Sequence, residues 1–240
     1  MKTAGEILAG FETLPLANIA TILAGRRPLI LAPHPDDESL GCGGLIAAAC
    51  AGGLAPVIAM LTDGAASHPG SRSFPPARLA ALRESEARDA VAHLGLPEEN
   101  LVFLREPDTK LAPHGPIIER LMDIVAEQHC QLIIGPWSGD PHCDHEAGAA
   151  IAEALAIRTG LPRLSYPVWG WLRDHGALLA ESRPTGWRLD ISQHLARKSQ
   201  AIAAHASQYG DVIMDCPNGF KLPQNLLAIF ARPFEVFLSE

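Results

Sequence analysis

Aromatic residues make up only 5% of this 240-residue chain, and its 19 Lys and Arg are outnumbered by 27 Asp and Glu. The net charge of −8 excludes a general nucleic-acid binder, which needs a basic stripe to neutralise phosphates. The scarcity of aromatics also removes the stacking platform on which single strands are held. Long apolar runs are missing. No stretch approaches the roughly 20 apolar residues of a membrane-spanning helix, so no membrane partner is expected. Residues 1–25 lack a basic start, and Glu6, Glu12, Pro15 and Asn18 interrupt their apolar stretch, so they do not read as a signal peptide. The five cysteines (Cys42, Cys50, Cys130, Cys143, Cys216) are odd in number and contain no Cys-x-x-Cys pair. Free thiols in a reducing compartment follow, and a cytoplasmic location is the expectation. Self-association into a homo-oligomer leaves no reliable mark on one sequence and stays open.

What is present is ordinary for a folded protein: 48% hydrophobic and 19% charged residues, enough for one large core. Short apolar runs at 28–33, 56–61, 101–104 and 131–134 read as buried strands. Between and after them, 38–51, 77–94, 117–128, 145–158 and 192–209 read as helices, several closed by glycine. Residues 164–172 and 187–191 read as extended, and the tail at 228–238 has β character around 234–237. The polar, proline-containing segment 65–76 reads as a mobile surface loop. This alternation predicts a single α/β domain, with a Rossmann-like, mostly parallel sheet covered by helices on both faces and a less regular C-terminal part. Residues 1–27 form a helical extension ahead of a domain at 28–240. Ligand sites in such sheets lie at the carboxyl ends of strands, near a switch in strand order.

Two clusters meet that condition. His34-Pro35-Asp36-Asp37-Glu38 follows the first strand, and Asp140-Pro141-His142-Cys143-Asp144-His145-Glu146 follows the fourth. Zinc in hydrolytic sites takes three His, Asp or Glu ligands and keeps one position open. The first cluster can supply an imidazole and a carboxylate, and the second another imidazole. A remaining carboxylate can act as general base, and a remaining histidine can stabilise an oxyanion. The set suits hydrolysis of an amide or ester.

These residues also resemble a known family. His34-Pro35-Asp36-Asp37-Glu38 is similar to the HPDDE motif of the PIG-L/LmbE-type zinc-dependent N-deacetylases, and His142-Cys143-Asp144-His145 to their HPDH motif. Arg83 and Glu86, followed by Ala90 and Leu94-Gly95, resemble the family's R-x-x-E helix. Asp108 sits like its substrate-contacting aspartate. Lys198, Ala201, His205, Ser207 and Gln208 match a C-terminal K-x-x-A-x-x-x-H-x-S-Q pattern. The resemblance spans residues 28–208. It implies a metal site of His34, Asp37 and His145 holding one Zn²⁺, with Asp36 as general base. It further implies that His142 stabilises the oxyanion or acts as general acid, that Asp144 orients His142, and that Arg83 and Asp108 bind the substrate. The implied activity is removal of an N-acyl group, most commonly acetyl, from a small amino-sugar derivative. One departure is plain: Cys143 replaces the usual proline, which would fix φ; its thiol is a candidate extra ligand.

Blander readings stand beside these. A lone His-Pro-Asp-Asp can be a polar turn capping a helix, and Asp140 or Asp144 can be caps. Gly41-Cys42-Gly43-Gly44 lacks dinucleotide-fingerprint spacing and reads as glycines admitting a close approach to the sheet or substrate. His205 reads as structural; Trp137, Trp169 and Trp171 can wall a sugar site, with packing the default. Two other functions fit parts of the pattern: a Mg²⁺- or Mn²⁺-dependent phosphoesterase, whose ions want more oxygen ligands, and a non-catalytic metal- or sugar-binding module, which needs no base.

Overall fold

Apolar side chains on both faces of a short strand call for cover on both faces, and the architecture follows from that. The computed structural model describes residues 1–179, 184–210 and 212–239. The chain opens with β1 (Lys2–Thr3), α1 (Ala4–Glu12), β2 (Leu16–Ala17) and α2 (Ile19–Leu23). Strand and helix then alternate through β3 (Pro28–Ala32), α3 (Asp37–Ala51), β4 (Val57–Thr62), α4 (Pro76–Leu94), β5 (Leu101–Glu106), α5 (Pro116–Glu127), β6 (Leu132–Pro136), α6 (Cys143–Thr159) and β7 (Arg163–Tyr166). The remainder comprises β8 (Leu178–Leu179), β9 (Gly186–Asp190), α7 (Leu195–Ala204), α8 (Ala206–Tyr209), α9 (Gln224–Phe230) and β10 (Phe234–Ser239).

The main sheet has the order β2-β9-β10-β7-β6-β3-β4-β5. Strands β3 to β7 pair in parallel, while β10 runs antiparallel to β7 and β9. The two faces of β3 serve separate cores: Ile30 and Ala32 pack with residues of α3, α4 and α7, whereas Leu29 and Leu31 pack with α5 and α6. From β3 the chain steps outward to β4 and β5, then returns to place β6 on the other side of β3. The switch point therefore lies between β3 and β6, and both polar clusters open onto it. Helix α3 lies close behind: a Cβ on Gly41 would stand 2.1 Å from Tyr166 Cδ2, so glycine is what admits the helix.

Several local expectations are corrected. Residues 1–27 hold strands as well as helices, and β2 is the sheet's edge, paired in parallel with β9. Of 164–172 only Arg163–Tyr166 is strand; Trp169–Leu172 is a 3₁₀ turn, because the Asp140 carboxylate accepts the amides of Val168, Trp169 and Gly170 and curls the chain around itself. The helix expected over 192–209 breaks at His205, whose ring is held by Glu38. The segment 65–76 is tied down: the Asp215 carboxylate accepts the Ser71 hydroxyl and the amides of Arg72 and Ser73. No helix among the described residues is long and apolar enough to cross a membrane.

Candidate active site

The turn after β3 is built under constraint. Asp36 has φ 138° and ψ −28°, a conformation costly for a residue with a Cβ and maintained only where surroundings over-determine it. Three contacts do so. The Asp36 amide donates to Glu38 Oε2 at 3.0 Å. Arg83, reaching from α4, donates to the carbonyls of Pro35 and Gly64 and stands 3.3 Å from Asp36 Oδ2. Glu38 in turn is fixed by Ser39 Oγ at 2.6 Å and His205 Nε2 at 2.8 Å. Glu86, one turn beyond Arg83, accepts both the amide and the hydroxyl of Ser207, which ties α4 to α8.

Beside this turn, two imidazole nitrogens converge on one carboxylate oxygen. His34 Nδ1 lies 3.3 Å and His145 Nε2 3.2 Å from Asp37 Oδ2. A tetrahedral ion with bonds of about 2.0–2.1 Å separates neighbouring donors by about 3.3 Å, so each of these nitrogen–oxygen pairs stands at the separation of two donors on one metal ion. The far side of each ring is anchored. His145 Nδ1 donates to Asp140 Oδ2 at 2.9 Å, and His34 Nε2 lies 3.0 Å from Asp144 Oδ2 and 3.2 Å from Asp108 Oδ1. Carboxylates behind metal-ligating histidines fix tautomer and ring orientation. His145 Nε2 is buried and has no hydrogen-bond partner, an orphan explained if it is a ligand atom. His34, His142 and His145 also offer nitrogens that all lie within 4.8 Å of one another.

Cys143 occupies the first position of α6, the place where proline is favoured at helix starts, and His142 caps the helix. The Asp144 amide donates to His142 Nδ1 at 3.2 Å. The neutral ring therefore carries its proton on Nε2. The Asp144 carboxylate differs from expectation: instead of orienting His142, it accepts the amides of Thr109 and Leu111 and contacts His34. Arg83 and Asp108, expected at the substrate, line the cavity; Arg83 Nη1 and Nη2 donate to the Gly64 and Pro35 carbonyls while its buried Nε has no partner among the described residues, and Asp108 contacts His34 and the Ala66 amide. Asp140, considered only as a cap, is the residue that sequence reasoning missed. An acid five positions before a histidine is the signal that could have found it.

A cavity of about 510 Å³ opens over this cluster, lined by His34, Asp36, Arg83, Asp108 and His142 on the reactive side. Trp169 and Phe220, 5.5 Å apart edge to face, form part of its wall, while Trp137 is core, packed against Phe11. The PIG-L family model, described as GlcNAc-PI de-N-acetylase, matches residues 29–156, more than half of the chain.

The chain belongs to the PIG-L family. A probable N-acetyl-alpha-D-glucosaminyl L-malate deacetylase 2 of Bacillus anthracis is 29% identical over 196 residues, covering 79% of this chain and 84% of the relative. The diacetylchitobiose deacetylase of Thermococcus kodakarensis is 25% identical over 199 residues, covering 79% and 73%. Among solved structures, an N,N'-diacetylchitobiose deacetylase from Pyrococcus horikoshii superposes with a TM-score of 0.69 at 22% identity, over 96% of this chain and 88% of that one. The fold is that of these PIG-L deacetylases, and the chain is an amide hydrolase of the N-deacetylase type. The phosphoesterase and binding-module readings are set aside.

The electrostatics of this PIG-L site divide its groups. Burial lowers the affinity of His34 for a proton, yet Asp108, Asp144 and Asp37 raise its pKa well above the ordinary value. Burial opposes charge on His145 too, but Asp37 and Asp140 bring it up to about 9. Asp37 is held well below the carboxylate range, with His145 and His34 prevailing over burial. Burial pushes Asp36 up to about 7 against the pull of Arg83. Burial, then the positive charges of His34 and His145, push His142 down. The cage thus favours positive charge where His34, Asp37 and His145 meet, and keeps His142 neutral.

Proposed function

We propose that this chain removes the acetyl group from an N-acetylated amino-sugar derivative, with zinc held by His34, Asp37 and His145. The carrying observation is the convergence of His34 Nδ1 and His145 Nε2 on Asp37 Oδ2 at 3.2–3.3 Å, beside a strained Asp36. Two relatives whose names specify N-acetylglucosamine derivatives support the substrate class. When bound, zinc would supply Lewis acidity, lowering the pKa of water towards about 7 and polarising the amide carbonyl.

The chain's own residues do the rest. Asp36 faces the cavity beside the ligand set and takes the proton of the attacking water as general base. As the C–N bond breaks, the same carboxyl returns that proton to the departing amine, leaving acetate and a free amino sugar. Arg83 holds the Pro35 carbonyl and the Asp36 carboxylate in the strained turn. His142, its Nδ1 occupied by the Asp144 amide, donates from Nε2 to the carbonyl oxygen as negative charge develops there. Asp140 and Asp144, with Asp108, orient the two ligand imidazoles.

The test is acetate release from N-acetylated glucosamine derivatives by zinc-loaded protein, with metal content followed by elemental analysis. Activity that is lost on chelation and regained with zinc is expected, as is loss of metal in His34→Ala and His145→Ala. A protein that retains full activity without metal contradicts the proposal.

A further inference from the structure

The deacetylation reading leaves Cys143 idle. At the first position of α6, where proline is favoured and would offer no donor atom, its exposed thiol stands 3.8 Å from Asp144 Oδ1 and 3.8 Å from the Thr109 carbonyl oxygen. Sulfur and oxygen bound to one tetrahedral cation, with bonds of about 2.3 Å and 2.0–2.2 Å, stand about 3.5–3.7 Å apart. Both contacts lie close to that separation, and an exposed side chain can turn about χ1 to meet it. A cation can therefore take the place of the thiol proton, which leaves to water.

Neighbouring groups supply the other ligands. Asp144 Oδ2 is committed to the Thr109 amide and His34, but Oδ1 accepts one amide, that of Leu111, and has a second lone pair to offer beside the sulfur. One ring nitrogen of His142, the Cys143 sulfur and an Asp144 oxygen all lie within 4.8 Å of one another. Thr109 and His142 line the cavity, so the cluster sits at its rim. It shares no residue with the set His34, Asp37 and His145. Thiolate together with imidazole and carboxylate suits a thiophilic cation such as Zn²⁺ or Cd²⁺, whereas Mg²⁺ and Ca²⁺ prefer oxygen ligands.

We infer that His142, Cys143 and Asp144, with the Thr109 carbonyl, form a second, thiolate-bearing site for a thiophilic divalent cation, and that its occupation draws His142 away from the oxyanion and stops turnover. Binding stands apart from the deacetylase reading; the loss of turnover rests on it.

In the experiment, protein carrying one equivalent of zinc is titrated with Cd²⁺ and followed by the ultraviolet thiolate-to-cadmium charge-transfer band, elemental analysis and acetate release. One cadmium should bind with the zinc retained, the band should appear, and kcat should fall about 10²- to 10³-fold, as for loss of one oxyanion donor. Cys143→Ala should lose the band and the inhibition while keeping the activity measured without cadmium. His142→Ala should bind cadmium more weakly and still show the band at saturation. No band in the wild type, a band of full size in Cys143→Ala, or cadmium that displaces the zinc overturns the site, as does undiminished affinity in His142→Ala. Bound cadmium that leaves kcat unchanged overturns the withdrawal of His142. If zinc-loaded protein releases no acetate from any N-acetylated glucosamine derivative, the deacetylase reading fails instead, and the band and the stoichiometry still decide the site.

Discussion

Replacing His205 by alanine tests how the base-bearing turn is held. His205 and Glu38 are both fully buried, with His205 Nε2 2.8 Å from Glu38 Oε1. Removing one partner of a buried charged pair costs about 3–5 kcal/mol, because the other is left uncompensated. Glu38 keeps two donors, Ser39 Oγ and the Asp36 amide, so the low end, about 3 kcal/mol, is expected. That is survivable for a domain stabilised by about 5–15 kcal/mol. The catalytic effect follows from geometry. A residue held in a sparsely populated backbone region stores about 1–3 kcal/mol, and a less anchored Glu38 lets Asp36 relax out of it. At about 1.4 kcal/mol per tenfold, kcat should fall about 5- to 150-fold with KM little changed. Urea denaturation gives the first number, and initial rates of acetate release at 25 °C give the second, on protein whose metal content matches wild type. His205→Gln, which keeps a donor, should recover part of both losses. A stability loss under about 1 kcal/mol together with an unchanged kcat would refute the reasoning.

Three other substitutions follow from the same contacts. Asp140→Asn removes the negative charge behind His145 and one of the two oxygens that accept from the His145 ring and the Val168, Trp169 and Gly170 amides, and should weaken metal affinity about 10- to 100-fold, read by competition with a chelator. Asp215 is held well below the usual carboxylate range by the Ser73 amide and then the Ser71 hydroxyl, so its folded pKa is depressed. The stabilisation it gives is present above the unfolded pKa of about 3.9 and is lost as pH falls through the folded value. Asp215→Ala should therefore speed hydrogen exchange at the Arg72 and Ser73 amides at pH 7 and leave much less difference in strong acid. Gly41→Ala forces a Cβ to within 2.1 Å of Tyr166 Cδ2, and overpacking of this kind costs about 1–3 kcal/mol, seen as a lower Tm.

Legibility in the sequence followed the range of the interaction. Strands β3, β4 and β6 were readable because burial on both faces makes each a continuous apolar run ending at a polar residue. His34, Asp36 and Asp37 were readable because they follow such a strand directly, and His142 and His145 because they sit at the junction between β6 and α6, the third strand-to-helix junction after it. What was hidden depends on partners far along the chain. Asp140 looked like a helix cap; its function rests on amides 28 to 30 residues away that fold back onto it. The break at His205 is invisible to helix propensity, since its cause is Glu38, 167 residues earlier. The segment 65–76 has the composition of a loose loop, yet Asp215, more than 140 residues on, pins it. Arg83 was recognised by its motif but given a substrate role, because nothing local shows that the Pro35 and Gly64 carbonyls take its donors.

The central claim is that Asp36, beside a metal held by His34, Asp37 and His145, is the base of an amide hydrolysis. Asp36→Asn keeps the size of the side chain and removes the basic oxygen. Zinc stoichiometry and acetate release measured on the same preparation should show metal bound as in wild type and kcat lower by about 10²- to 10⁴-fold. Near wild-type turnover with zinc bound would contradict the account.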